Sequence, residues 1–222
     1  MSLKFLPHLL LALLVCTSPA QTAEPSRKLM PVDEAVKNPS FFLFRAKLQE
    51  AVAKKDAAYV LGVIAPDIQT GFDGENGSAA FKKKWNLEKP DEASELWPLL
   101  ARTLAMGGKF DKDGSFQAPY TSAAWPEEFD SFEHTAVVGE NVRVREKADA
   151  QSAVVATLSF EVVALAQSDA PQEERQPWVK VKLPNGREGY IRQEYVSMAI
   201  GFRAYFEKKN GSWVMTAFLA GD

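Results

Sequence analysis

Beyond residue 20 the chain has one histidine, His134, and no cysteine. A Ser-His-Asp or Cys-His triad would have to be built on that single imidazole. No Gly-x-Ser-x-Gly elbow precedes it. A histidine or thiolate metal site needs more nitrogen and sulfur ligands than these. The oxygen ligands Asp73, Glu75 and Asn76, and Asp111 with Asp113, form two small groups. Neither has the twelve-residue spacing with a terminal glutamate of an EF-hand, and both fit ordinary turn chemistry. Gly107-Gly108 follows a helical pattern instead of opening one, which argues against a phosphate-cradling loop. Paired carboxylates for glycoside hydrolysis cannot be singled out among 29 acidic residues. The expectation is therefore a protein with no metal, no cofactor and no catalytic residues. What remains is recognition chemistry: Trp178, Tyr190 and Tyr195 offer rings, and Arg187, Arg143 and Arg145 offer cations. Burial of Trp178 and Tyr190 in a core is the competing reading of the same residues.

The elements that must position these side chains follow from periodicity. Residues 1–20 have the export pattern: Lys4, an apolar run Leu9 to Val15, and Ser18-Pro19-Ala20 for cleavage, with cleavage after Ala23 as the alternative. The run is too short to span a bilayer. Cys16 follows Val15, which is not the small residue that lipid attachment favours. The expected location is the periplasm, without stable membrane insertion after cleavage. The formal charge is -3, and Lys82-Lys83-Lys84 is a short run of the kind found on solvated helix faces. Nucleic acid is therefore not an expected partner.

From residue 21 to 131 the pattern is mainly helical. Ser40 is the expected N-cap of a helix carrying Phe41, Phe44, Leu48, Ala51 and Val52, closed by Lys54-Lys55. Asp56 caps a shorter helix with Val60, Leu61 and Ile64, stopped by Pro66. Residues 79–85 form another, and Ser94 caps a helix with Pro98 in its first turn and Gly107-Gly108 at its end. Phe41, Phe44, Trp85 and Trp97 are the expected core. Residues 109–131 look like loop.

After Phe132 the period becomes two. Val142 and Val144 alternate with Arg143 and Arg145; Val154 to Leu158 and Phe160 to Leu165 are short apolar runs. Trp178, Lys180 and Lys182 alternate with Val179, Val181 and Leu183. Asn185-Gly186 predicts a type I′ hairpin turn into Glu188-Gly189-Tyr190-Ile191. Five short strands in about sixty residues point to a small barrel. A last hairpin, 199–222, turns at Asn210-Gly211 and has large apolar groups on both faces, so it must pack on something, and the helical part is the expected place.

Gly139-Glu140-Asn141-Val142-Arg143-Val144-Arg145, the Trp178-Val179-Lys180-Val181 strand and Gly186-Arg187-Glu188-Gly189-Tyr190-Ile191 resemble the bacterial SH3 family, with Glu194-Tyr195-Val196 similar to its closing turn. Ala148 stands where that family usually has proline. The resemblance covers about 132–198. It implies an SH3-like β-barrel within an α+β chain and a binding role, with peptidoglycan or a peptide segment of a periplasmic protein as partner. It also implies a groove at Trp178, Tyr190, Tyr195 and Arg187. A scaffold without a small-molecule ligand is the alternative, and a carboxylate-based cell-wall hydrolase a more distant one.

Overall fold

The computed structural model describes residues 27–72, 74–88, 93–167 and 177–221. Residues 1–26, on which the expected export pattern falls, and residues 73, 89–92, 168–176 and 222 lie outside the described residues. No helix among the described residues is long and apolar enough to cross a membrane.

Helix α1 (Pro39–Ala53) begins two residues earlier than Ser40 predicts. Asn38 is its cap, accepting the Phe41 N–H at 3.2 Å, and Pro39 occupies the position where a missing N–H costs nothing. Ser40 has a different role: its Oγ accepts the Trp213 indole N–H at 3.0 Å. The helix ends at Lys54, and Lys55 turns the chain at φ 55°. Helix α2 (Ala57–Gly62) is capped by Asp56, whose Oδ1 accepts the Tyr59 N–H at 2.9 Å. Ile64 is not part of it. The chain extends there into β1 (Ile64–Gln69), Pro66 included, because β1 is an edge strand and a proline N can face away from the ladder.

Helix α3 (Ser78–Lys84) and helix α4 (Leu96–Ala105) follow, the latter with Pro98 in its first turn and Ser94 Oγ accepting the Leu96 N–H at 3.2 Å. Gly107, at φ 67°, reverses the chain after α4. A side chain on Gly108 would collide with the Gln117 carbonyl at 2.1 Å, so only glycine fits between the lead-in at Val32 to Glu34 and the next strand. The stretch 109–131, read as loop, contains β2 (Lys109–Phe110), β3 (Phe116–Ala118) and the short helix α5 (Tyr120–Ala123). The strands are too brief to show a period of two in sequence.

Seven strands come next: β4 (His134–Val137), β5 (Val142–Arg145), β6 (Val154–Leu158), β7 (Val162–Leu165), β8 (Trp178–Lys182), β9 (Glu188–Arg192) and β10 (Val196–Ser197). They form one sheet in the order β10-β4-β7-β8-β9-β5-β6. The closed barrel read from the sequence is not what the ladders make: β10 and β6 are the ends of the sheet and do not pair. Inward residues from all seven strands, among them Val137, Val144, Leu158, Val163, Val181, Ile191 and Val196, nevertheless share one core.

Strands β11 (Arg203–Lys209) and β12 (Ser212–Leu219) pair antiparallel. Asn210 and Gly211, at φ 51° and 82°, form the two-residue turn whose two positive φ angles match the strand twist. These strands enter a second sheet, β1-β12-β11-β3-β2, in which β12 runs parallel to β1. One face of this sheet packs beneath the helices around Phe41. Its ring lies 4.3 Å from Phe116, 4.8 Å from Trp213 and 5.5 Å from Phe206, centre to centre. Trp85 is buried in the same core, while Phe44 and Trp97 are half-buried against it.

Arg45, on the inner side of α1, reaches Asp33 through two bonds, Nη1 to Oδ1 at 2.7 Å and Nη2 to Oδ2 at 2.6 Å. Partial burial works to raise the Asp33 pKa. The bonds from Arg45 and from the Ala35 N–H, with the Arg45 charge, outweigh it and leave the carboxyl below its ordinary range.

The two sheets meet at a third apolar cluster, Leu29, Tyr120, Ala136 and Val162. The lead-in also bonds across this junction: the Leu29 N–H donates to the Phe160 carbonyl at 2.8 Å, and the Val162 N–H to the Arg27 carbonyl at 2.9 Å. Burial pushes the Tyr120 hydroxyl up to about 12.

Candidate ligand-binding face

Alternation along β8 sends Val179 and Val181 into the core and Trp178, Lys180 and Lys182 outward. On β9, Ile191 points inward, with Gly189 in its register, and Tyr190, Arg192 and Glu188 point outward. On β5, Val142 and Val144 are buried and Arg143 and Arg145 face out. Gly189 cannot be larger, since a Cβ there would meet Val144 at 2.6 Å and the Arg145 carbonyl at 2.9 Å. That close approach brings β5 against β9. Trp178 and Tyr190 are therefore outside the core, each half-buried on the outer surface. Their burial in a core, the competing reading from sequence, does not describe this sheet.

Register sets who meets whom. Trp178 stands opposite Arg192, whose guanidinium lies 5.5 Å from the indole centre and 3.5 Å from Glu194. Two residue pairs along, on the same face, a row crosses four strands: Lys180 opposite Tyr190, Tyr190 opposite Arg145, Arg145 opposite Val154. Lys180 Nζ lies 2.9 Å from Glu188, and Arg145 Nη1 donates to the Ser152 carbonyl at 2.6 Å.

The other two sequence-read residues fall at opposite ends. Tyr195 is 45% exposed, in the short 3-10 turn Gln193–Tyr195 that leaves the Trp178 end of the hairpin. Arg187 sits at the far end, beyond the Lys182–Glu188 pair, exposed in the hairpin turn. That turn is not type I′. Gly186 N–H donates to the Leu183 carbonyl at 2.8 Å, and only Gly186 has positive φ, at 80°. Pro184 holds φ negative at the first turn position, so the left-handed step moves to the glycine that follows, with Leu183 and Arg187 bonded across it. The structure thus joins Trp178 and Tyr190 on one face, places Tyr195 beside one end and Arg187 at the other.

The sequence reading missed Arg192 and Lys180. Counting back from a two-residue turn at Asn185-Gly186 would have set Trp178 opposite Gln193 and Lys180 opposite Ile191; the turn that Pro184 imposes shifts the register by one and brings the two cations into place.

The far side of this unit is tied to the helices. Arg102 of α4 donates to the Glu194 carbonyl at 3.0 Å and to the Val196 carbonyl at 2.9 Å, bracketing Tyr195. Thr121 and Ser197 hydroxyls bond at 2.8 Å.

Residues 140–197 match the family model of the bacterial SH3 domain. This segment is a bacterial SH3 domain. No curated protein matches the chain. Bacterial SH3 domains are in general binding domains, which suits a face of rings and cations better than it suits a catalytic cleft. Open depressions elsewhere among the described residues include one of about 360 Å³ at Asp67, Tyr205 and Lys209 and one of about 480 Å³ at Thr70, Glu75 and Lys83, both outside the SH3 domain. Among the described residues no three His, Cys, Asp or Glu side chains gather as metal ligands. His134 Nδ1 lies 3.0 Å from the Asp130 carbonyl, and Asp113 Oδ1 accepts the Ser115 N–H at 2.9 Å, both local turn contacts.

Proposed function

We propose that the chain is an exported periplasmic binding protein whose SH3 domain takes a peptide-bearing ligand: the peptides of the cell wall or a segment of a periplasmic protein. The observation that carries this reading is the outward placement of Trp178 and Tyr190 on a hairpin whose other face packs into the core. Large rings held half-buried on a surface lose little conformational freedom on binding and are the residues over-represented in recognition hot spots. Extended peptides are the ligands that such aromatic-lined surfaces commonly accept. The SH3 domain then serves as an insertion between β3 and β11, presented by the aromatic module that carries the rest of the chain.

The test uses the full purified chain. Retention on isolated sacculi, and site-specific crosslinking from position 195 in the periplasm, are compared between the unaltered protein and Trp178→Ala. The reading expects retention or a discrete crosslink that Trp178→Ala abolishes. No retention above an unrelated protein of equal charge, together with no crosslink, would overturn it.

A further inference from the structure

The whole chain is acidic, with a formal charge of -3. The outer face of the SH3 hairpin is the reverse. Strands β5, β8 and β9 carry five cations, Arg143, Arg145, Lys180, Lys182 and Arg192, against one carboxylate, Glu188. Alternation puts all six on the same side of the sheet. Glu188 is engaged with Lys180, and Glu194, in the turn after β9, with Arg192. Among the described residues, no carboxylate pairs with Arg143 or Lys182, and both are exposed. Cations set on neighbouring rungs repel one another, so a surface that gathers them has an electrostatic cost that an incoming anion relieves.

We infer that this face recognises an acidic, extended protein segment bearing carboxylates on alternate residues. The inference rests on the binding role proposed above and specifies its ligand. Spacing selects the extended segment. Arg143 and Arg145, like Lys180 and Lys182, stand two residues apart on their strands, about 7 Å, which is the repeat of same-side side chains in an extended peptide. Carboxylates at that repeat meet arginines that can grip them through two N–H groups each. Of the apolar members of the face, Tyr190 lies between Lys180 and Arg145, Trp178 stands opposite Arg192 and Val154 lies beyond Arg145 at the sheet edge, where they would cover the small side chains of the segment. A wall ligand with carboxyls at irregular positions would satisfy the rings but not the register.

The experiment measures fluorescence anisotropy of two labelled peptides with the full chain: one alternating Glu and Ala, the other alternating Gln and Ala. The Glu peptide is expected to bind at least about tenfold more tightly, a preference that shrinks as ionic strength is raised from roughly 50 to 300 mM. Arg143→Gln with Lys182→Gln, two exposed positions outside the core, should remove most of that preference while leaving the melting temperature unchanged. Equal affinity for the two peptides, or no binding of either, overturns the inference. If sacculi retain the chain through Trp178 while the peptides show no preference, carboxylate recognition fails and the binding role stands. If sacculus retention, crosslink and peptide binding are all absent, both fall.

Discussion

The two packed regions of this molecule use aromatic residues in opposite ways. Around Phe41 the rings are inside: Phe81, Phe116, Phe206 and Phe218 are fully buried between the helices and the five-stranded sheet. In the SH3 domain the interior is valine, leucine and isoleucine, and the rings Trp178, Tyr190 and Tyr195 are on the surface. The inner side of the SH3 sheet is filled by valine, leucine and isoleucine from all seven strands. The five-stranded sheet, covered by helices, buries five phenylalanines. The lesson is that ring placement separates scaffold from recognition: where aromatics are the filling they hold the fold, and where a core is complete without them they are available for contact.

That contrast can be broken at three points, in descending order of effect. Phe41→Ala removes the centre of the aromatic cluster and should cost about 4 kcal/mol in denaturant unfolding. A loss below about 1 kcal/mol would mean that the rings around it do not depend on one another. Next is the ion pair beneath the cluster. Asp33→Asn leaves the Arg45 guanidinium buried without its carboxylate and should cost about 2 kcal/mol, less than a fully enclosed pair because Asp33 is partly exposed. The pH dependence has a fixed sign. The folded carboxyl titrates below its unfolded value of about 3.9, so its contribution is complete above that pH and is lost as pH falls through the folded pKa. Unfolding followed from pH 6 to pH 2 should therefore show an acid loss that Asp33→Asn reduces; an equal acid loss in both proteins would remove the pair from the account.

The smallest effect on stability belongs to the surface ring. Trp178→Ala should shift unfolding by under about 1 kcal/mol while abolishing ligand retention. A Trp178→Ala protein that unfolds as readily as Phe41→Ala would erase the distinction between the two regions.

The parts of this architecture that were legible in sequence are those fixed by local periodicity. The run Val142 to Arg145, the alternation from Trp178 to Leu183 and the helical spacing of Phe41, Leu48 and Val52 each report a face by themselves. Strand β1 did not, because Ile64-Ala65-Pro66-Asp67 is extended only by its pairing with β12, some 150 residues later in the chain. Strands β2 and β3 are two and three residues long, below what alternation can signal. The Asn-Gly pairs of the two hairpins show the limit most clearly. Asn210-Gly211 takes positive φ at both residues, whereas Pro184 diverts the turn at Asn185-Gly186. At the candidate face, the alternation of Trp178 with Val179 and Val181 was readable, but whether that face points in or out was not, since it is decided by which side of the hairpin the other five strands fill. The partners of the rings followed from register, which depends on where the turn falls.

Arg102 grips the turn around Tyr195 through two main-chain oxygens, those of Glu194 and Val196. A clasp of that kind is blind to side-chain identity. The exposed Tyr195 side chain can thus be exchanged without loosening the fastening to α4, which persists as long as the backbone keeps its path.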